Sequence, residues 1–157
     1  MDGTELTKDE VELLIDGSSD DVAFNWTLIR LDIFQNPPLR PGPPSGVEID
    51  RAFESIERLV EGGYIVLGHT EYVDDGPPGR AAPVRIISEP IGLVKERVEK
   101  ACAEARKHSN GSDDWMYSCW LTCTESGCAV ATEALKPENR NMRRWFLEDS
   151  GWTRTPN

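Results

Sequence analysis

The sequence predicts a small α+β fold, and three observations carry that expectation. An amphipathic helical pattern runs over Glu48–Glu61 and ends at Gly62-Gly63. A β-branched run follows at once over Tyr64–Val73, and a Pro-Gly loop over Asp74–Arg80 returns the chain into a second short strand, Val84–Ser88. A helical period that gives way to a strand period across a glycine pair is what a helix packed on an antiparallel hairpin requires. The chain has 157 residues, 38% of them hydrophobic, with five Trp, which is enough to bury a core in one domain. That domain is expected over residues 1–135, with a C-terminal tail over 136–157.

Charge sets the first bound on function. The formal net charge is −11 and it is uneven: residues 1–36 hold nine acidic and two basic side chains, whereas residues 136–157 hold three acidic and five basic. Phosphate backbones recruit Lys and Arg and release counterions in doing so, so an acidic surface starts at a disadvantage on DNA. It serves solubility, and it also suits a basic protein partner. The N-terminus has neither a basic segment nor an apolar run behind it, and no stretch has the apolar length of a membrane span. The expected location is cytoplasmic, away from membranes.

The elements follow in order. Thr7 and Glu10 form a capping box, with Leu6 placed to staple onto Val11, so a first helix is expected to run to about Asp16 and stop at Gly17. A second helix is expected from Ser19 or Asp20, because Val22, Ala23, Trp26, Ile29, Ile33 and Phe34 fall near helical spacing. Asn36–Pro44 then holds five prolines in nine residues, a stiff and donor-poor loop. It reads as a rigid surface connector, although Pro38-Leu39-Arg40-Pro41 also has the form of a polyproline ligand.

Ser45 and Glu48 make a second capping box, opening the third helix with Ile49, Phe53, Ile56 and Val60 on one face. Gly62-Gly63 supplies the permissive backbone a helix end needs. Pro90 falls in the first turn of a fourth helix, where its missing N–H costs little, and Val94, Val98, Ala101, Cys102 and Ala105 form the buried stripe. Trp115–Cys123 reads as an aromatic strand, and Thr122 or Thr124 caps a last helix over Gly127–Leu135.

The run from Ala52 to Ile65, with Leu59-Val60-Glu61-Gly62-Gly63-Tyr64 at its centre, resembles the third helix and first wing strand of winged-helix proteins. Leu121-Thr122-Cys123-Thr124-Glu125-Ser126-Gly127 is similar to the strand-to-helix step near the end of many such domains, with Cys123 where Leu is usual. The resemblance covers roughly residues 20 to 135. It implies a winged-helix-like core with an extra N-terminal helix and a C-terminal tail. In many members the third helix enters the major groove of DNA. Here that helix holds five acids (Glu48, Asp50, Glu54, Glu57, Glu61) against Arg51 and Arg58, and the wing adds Glu71, Asp74 and Asp75 against Arg80 and Arg85. The chain also resembles small acidic uncharacterised bacterial proteins, some of which are immunity partners or antitoxins that occlude a toxin.

Convergent catalytic chemistry is thin. The two histidines are His69 and His108; His69 with Glu71 is the one acid/base pair in sight, and exposed pairing at a strand end is its simpler reading. Cys119, Cys123 and Cys128 lie within ten residues, with Cys102 on the preceding helix, but the close Cys-x-x-Cys knuckle of zinc sites is missing. Buried free thiols are expected, ahead of a redox pair between Cys123 and Cys128. No cofactor and no catalytic residue is assigned. Arg140, Arg143, Arg144, Trp145, Phe146 and Trp152 are expected to dock the tail, with the arginines paired to the acidic front third.

The function expected is therefore non-enzymatic binding of a protein partner of basic character, by a regulatory or immunity-type protein acting through occlusion. Glu48, Asp50, Glu54, Asp74 and Asp75 are the candidate contacts. The rival expectation is a DNA-binding winged-helix regulator, acting as a homodimer, that uses Arg51, Arg58, Arg80 and Arg85.

Overall fold

A computed structural model of the chain describes residues 5–34, 42–72, 84–107, 113–148 and 151–155. The fold is α+β. In chain order the elements are α1 (Lys8–Ser19), β1 (Val22–Ala23), α2 (Phe24–Arg30), α3 (Gly46–Glu61), β2 (Ile65–Tyr72), β3 (Val84–Ser88), α4 (Ile91–Lys107), β4 (Trp120–Cys123), α5 (Glu125–Ala134), β5 (Trp145–Glu148) and β6 (Gly151–Arg154). Short 3-10 helices cover Asp113–Tyr117 and Pro137–Met142. Among the described residues no helix is long and apolar enough to cross a membrane.

Four strands make an antiparallel sheet in the order β1-β4-β2-β3, and β5 pairs with β6 in a separate hairpin. Ile65 and Leu67 of β2 and Leu121 of β4 alternate onto the core face, where α1, α3 and α4 cover them. Both expected capping boxes form: the Thr7 hydroxyl accepts the Glu10 N–H while Glu10 accepts the Thr7 N–H, and Ser45 and Glu48 do the same for α3. Ile49, Ala52, Phe53, Ile56 and Leu59 of α3 are buried, and each large side chain among them is worth about 1.5–3 kcal/mol of transfer free energy. Leu59 is buried beside this stripe, and Val60 at its end is half-buried against the same core.

Four expectations are corrected. The first helix does not stop at Gly17 but runs to Ser19; Gly17 lies against β4, where an added Cβ would sit 3.0 Å from the Cys123 Sγ. The single second helix does not form. Val22–Ala23 pairs with Trp120–Leu121 as a strand, so the helix is delayed to Phe24–Arg30. The aromatic run Trp115–Cys123 divides into a 3-10 turn and a four-residue strand. Trp115 leaves the strand because its ring is wanted in the core, edge-on to Phe24 and Phe34 at 6.5 and 6.1 Å between ring centres. The last helix starts two residues early, at Glu125, with Thr124 as its cap.

One glycine in the strand-to-helix step has a steric reason. A Cβ on Gly127 would lie 2.1 Å from the Tyr64 carbonyl oxygen, so only glycine lets α5 cross the start of β2. The Thr124 N–H donates to that same carbonyl, and the Thr124 hydroxyl donates to the Gly63 carbonyl. Most of the proline-rich segment and the hairpin loop over 73–83 lie outside the described residues, as does His108. Of the former, Pro44 is buried and its carbonyl accepts a hydrogen bond from Arg106 near the end of α4.

Candidate functional site

Because α3 spends one face on the core, its other face is free to carry charge. Asp50, Glu54, Glu57 and Glu61 are exposed there, three and four residues apart. The start of α4 passes alongside and closes a groove of about 450 Å³. Its floor is Phe53, with Ile91 and Gly92 on the far wall; Asp50, Glu54 and Glu57 form the near wall, and Lys95 is the one basic group. The Lys95 ammonium stands 2.8 Å from an Asp50 carboxylate oxygen, and this bond, with Glu99 and Glu57 nearby, holds its pKa above the ordinary lysine value. Three carboxylates against one ammonium leave the groove negative. Val47 and Leu93, exposed in the first turns of α3 and α4, add apolar surface to these two helix starts.

The candidate contacts separate in the structure. Asp50 and Glu54 come together in the groove. Glu48 stands at the helix start, where its Oε1 accepts the Ser45 N–H at 2.9 Å. Asp74, Asp75 and Arg80 lie outside the described residues. Arg51 on α3 and Arg85 on β3 are exposed. Arg58 is turned back onto α1: one Nη donates to the Glu5 carbonyl at 3.0 Å, and the other stands 3.3 Å from Glu10 Oε2. That Glu10 side chain is fully buried, and Oε2 lacks a well-aligned hydrogen bond, so the contact with Arg58 is ionic rather than directional. Lys95 and Ile91 were not foreseen as groove residues; the helix start at Pro90 is visible in the sequence, but the side of α3 it packs against is not.

His69 does meet Glu71, and it also meets a second acid. Its Nε2 stands 3.0 Å from Glu71 and its Nδ1 3.0 Å from Glu89. A neutral imidazole has one N–H to give, so two carboxylate acceptors are both satisfied only by the imidazolium. The hydrogen bonds that the ring donates to Glu71 and Glu89 raise the His69 pKa accordingly. Glu89 in turn takes a two-pronged bond from Arg97, 2.8 Å on each side, which holds its carboxyl down at about 2. Arg97 Nε finishes the chain on the Ser118 carbonyl. This array ties β2, α4 and the approach to β4 together.

All four cysteines are free thiols. Burial pushes Cys119 and Cys123 up to about 12 and Cys102 up to about 11. Cys123 lies beside Cys128 and donates to the Leu14 carbonyl at 3.1 Å. Among the described residues no group of three or more His, Cys, Asp and Glu side chains is placed to hold a metal ion. The tail arginines meet the acidic front third: Arg143 stands 3.5 Å from Glu12, and Arg144 pairs with Asp9 and lies 3.8 Å from Asp32.

Comparison of the chain with protein-family models, with curated proteins and with solved structures finds no match.

Proposed function

We propose that this chain is a non-enzymatic protein-binding module of regulatory or immunity type, which occludes a basic surface of its partner with the acidic groove between α3 and α4. In the same reading α3, β2 and β3 are the helix and hairpin of a winged-helix-like core. The observation that carries the proposal is the placement of charge on α3. Asp50, Glu54, Glu57 and Glu61 face solvent, while Arg58 is spent inward on Glu10. A partner's Lys or Arg entering beside Phe53 would find carboxylates already positioned and an apolar floor for its methylene stem. Complementary charge of this kind chiefly speeds and selects encounter, so binding should weaken with salt.

The test is affinity capture from native cell lysate, with nuclease treatment, at two salt concentrations, using the wild type and the Glu54→Lys, Glu57→Lys double variant. A nuclease-resistant basic protein, held at least about tenfold more weakly by the variant, supports the proposal; tenfold corresponds to about 1.4 kcal/mol. A protein captured equally by both would remove the groove as the interface. Capture of duplex DNA that nuclease abolishes would favour the rival reading, in which the exposed Arg51 and Arg85 touch phosphates.

A further inference from the structure

Away from the groove residues, the C-terminal hairpin does not lie flat on α1. It bridges a cleft of about 700 Å³, within the range of small-molecule sites. Ile15 of α1, with Ile29 and Phe34 at and beyond the end of α2, make one apolar wall, and Trp145 and Trp152 of β5 and β6 bring two indoles to the other. Between them the polar groups are three guanidiniums, from Arg30, Arg143 and Arg144, and three carboxylates, from Glu12, Asp16 and Asp32.

The formal charges balance, but the hydrogen-bonding capacity does not. Each carboxylate is already engaged. Asp16 accepts from Arg30 Nε, Asp32 accepts from Arg154 at 3.2 Å, and Glu12 accepts the Arg144 N–H at 3.2 Å. Each guanidinium brings five N–H donors, and only part of that supply is used. The Arg144 side chain is 7% exposed, and its Nε has no hydrogen-bond partner. Arg143 Nε is also buried without one: it lies within ionic reach of Glu12 at 3.5 Å, but out of hydrogen-bonding geometry. Arg143 instead lies over the Trp152 ring, its Cζ 5.7 Å from the ring centre, within cation–π range. A buried guanidinium N–H without an acceptor is costly to maintain, and a bound acceptor relieves that cost.

We propose that this cleft binds an organic monocarboxylate with an aromatic or branched apolar body. The carboxylate would take the surplus guanidinium donors, for which a planar two-oxygen anion is the matching shape. The body would lie between the indoles and the Ile15–Ile29–Phe34 wall. The three carboxylates in the lining disfavour a more highly charged anion such as phosphate, because like charges at close range in a partly desolvated site repel strongly. This site is separate from the α3–α4 groove, and its ligand is independent of the protein partner proposed above.

The two indoles make the experiment direct. Trp fluorescence of the full chain is titrated at low salt with phenylacetate, with its uncharged isostere phenylacetamide, and with inorganic phosphate. Saturable binding of phenylacetate, with the amide and phosphate each at least about tenfold weaker, is the expected result, a charge-assisted hydrogen bond being worth about that factor. Arg30→Gln, at a partly exposed position away from the buried pairs of Arg144, should weaken phenylacetate about fivefold or more and leave the amide unchanged. Equal affinity for acid and amide, phosphate binding as tight as phenylacetate, or no saturation by any probe would each overturn the proposal. The wild-type comparison of acid with amide decides the matter even if the variant folds poorly.

Discussion

The groove beside α3 and the cleft beneath the C-terminal hairpin use the same kinds of side chain to opposite ends. In the groove, acids sit in solvent with a single lysine, so their charge is available to a partner and contributes little to holding the fold. In the cleft, Glu12, Arg143 and Arg144 are buried or nearly so, and the half-exposed Asp16, Asp32 and Arg30 are each held in an ion pair, so these charges are committed to one another. A net charge of −11 is therefore a poor guide to where an acidic protein is acidic. Burial decides whether a carboxylate is structural or presented.

That contrast is broken most severely at Arg144. Arg144→Ala would leave Asp9 and Asp32 without their shared guanidinium and the partly buried side of the cleft with surplus negative charge. Arg144 is 7% exposed, but Asp9 and Asp32 are 36% and 46% exposed and rehydrate once it is gone, so the loss falls short of that for a fully buried ionic group, and equilibrium urea unfolding should show about 2 kcal/mol. A loss below about 1 kcal/mol would mean the cleft acids are as well solvated as those of the groove.

The His69–Glu89–Arg97 array is an intermediate case and is read through pH. The His69 pKa is raised in the folded state, so its contribution is complete below the ordinary value of 6.5 and is lost as pH rises through the folded value. Glu89 is the reverse. Its pKa is lowered to about 2, chiefly by Arg97, so its contribution is complete above 4.5 and is lost as pH falls toward 2. The wild type should thus lose Tm as pH rises above about 6.5, and His69→Gln should lose less over the same rise. Parallel Tm profiles for the two proteins would show that the imidazolium does not support the fold.

The smallest effect belongs to the groove. Asp50→Asn should change stability by less than about 0.5 kcal/mol, because the Asp50–Lys95 pair is exposed and screened, and the change should shrink further in high salt. A destabilisation above about 1 kcal/mol would place that pair with the structural charges of the cleft instead.

What the sequence disclosed follows the same division between local and distant causes. Thr7–Glu10, Ser45–Glu48 and the apolar spacing of α3 are local rules, and each is met in the structure. The strand at Val22–Ala23 was hidden because its reason is Leu121 and Trp120, about a hundred residues further on, while its own spacing matches a helix. The place of Trp115 is hidden for a like reason: its neighbours Phe24 and Phe34 lie far away in the chain. In the groove, Asp50 and Glu54 were visible as an acidic helix face, but Ile91 and Lys95 belong to a helix whose docking side no local pattern encodes. The hairpin of Trp145–Glu148 with Gly151–Arg154 is marked in the sequence by aromatic residues on both arms and by Gly151, whose φ is 114°.

The pairing of Asp9 with Arg144 spans 135 residues. On a ribosome that adds about 5–20 residues each second, the carboxylates of α1 emerge roughly 7–27 s before the guanidiniums that complete them. α1 is thus among the last of the described elements to reach its final surroundings, and the nascent chain must hold its carboxylates in water until Arg143 and Arg144 arrive.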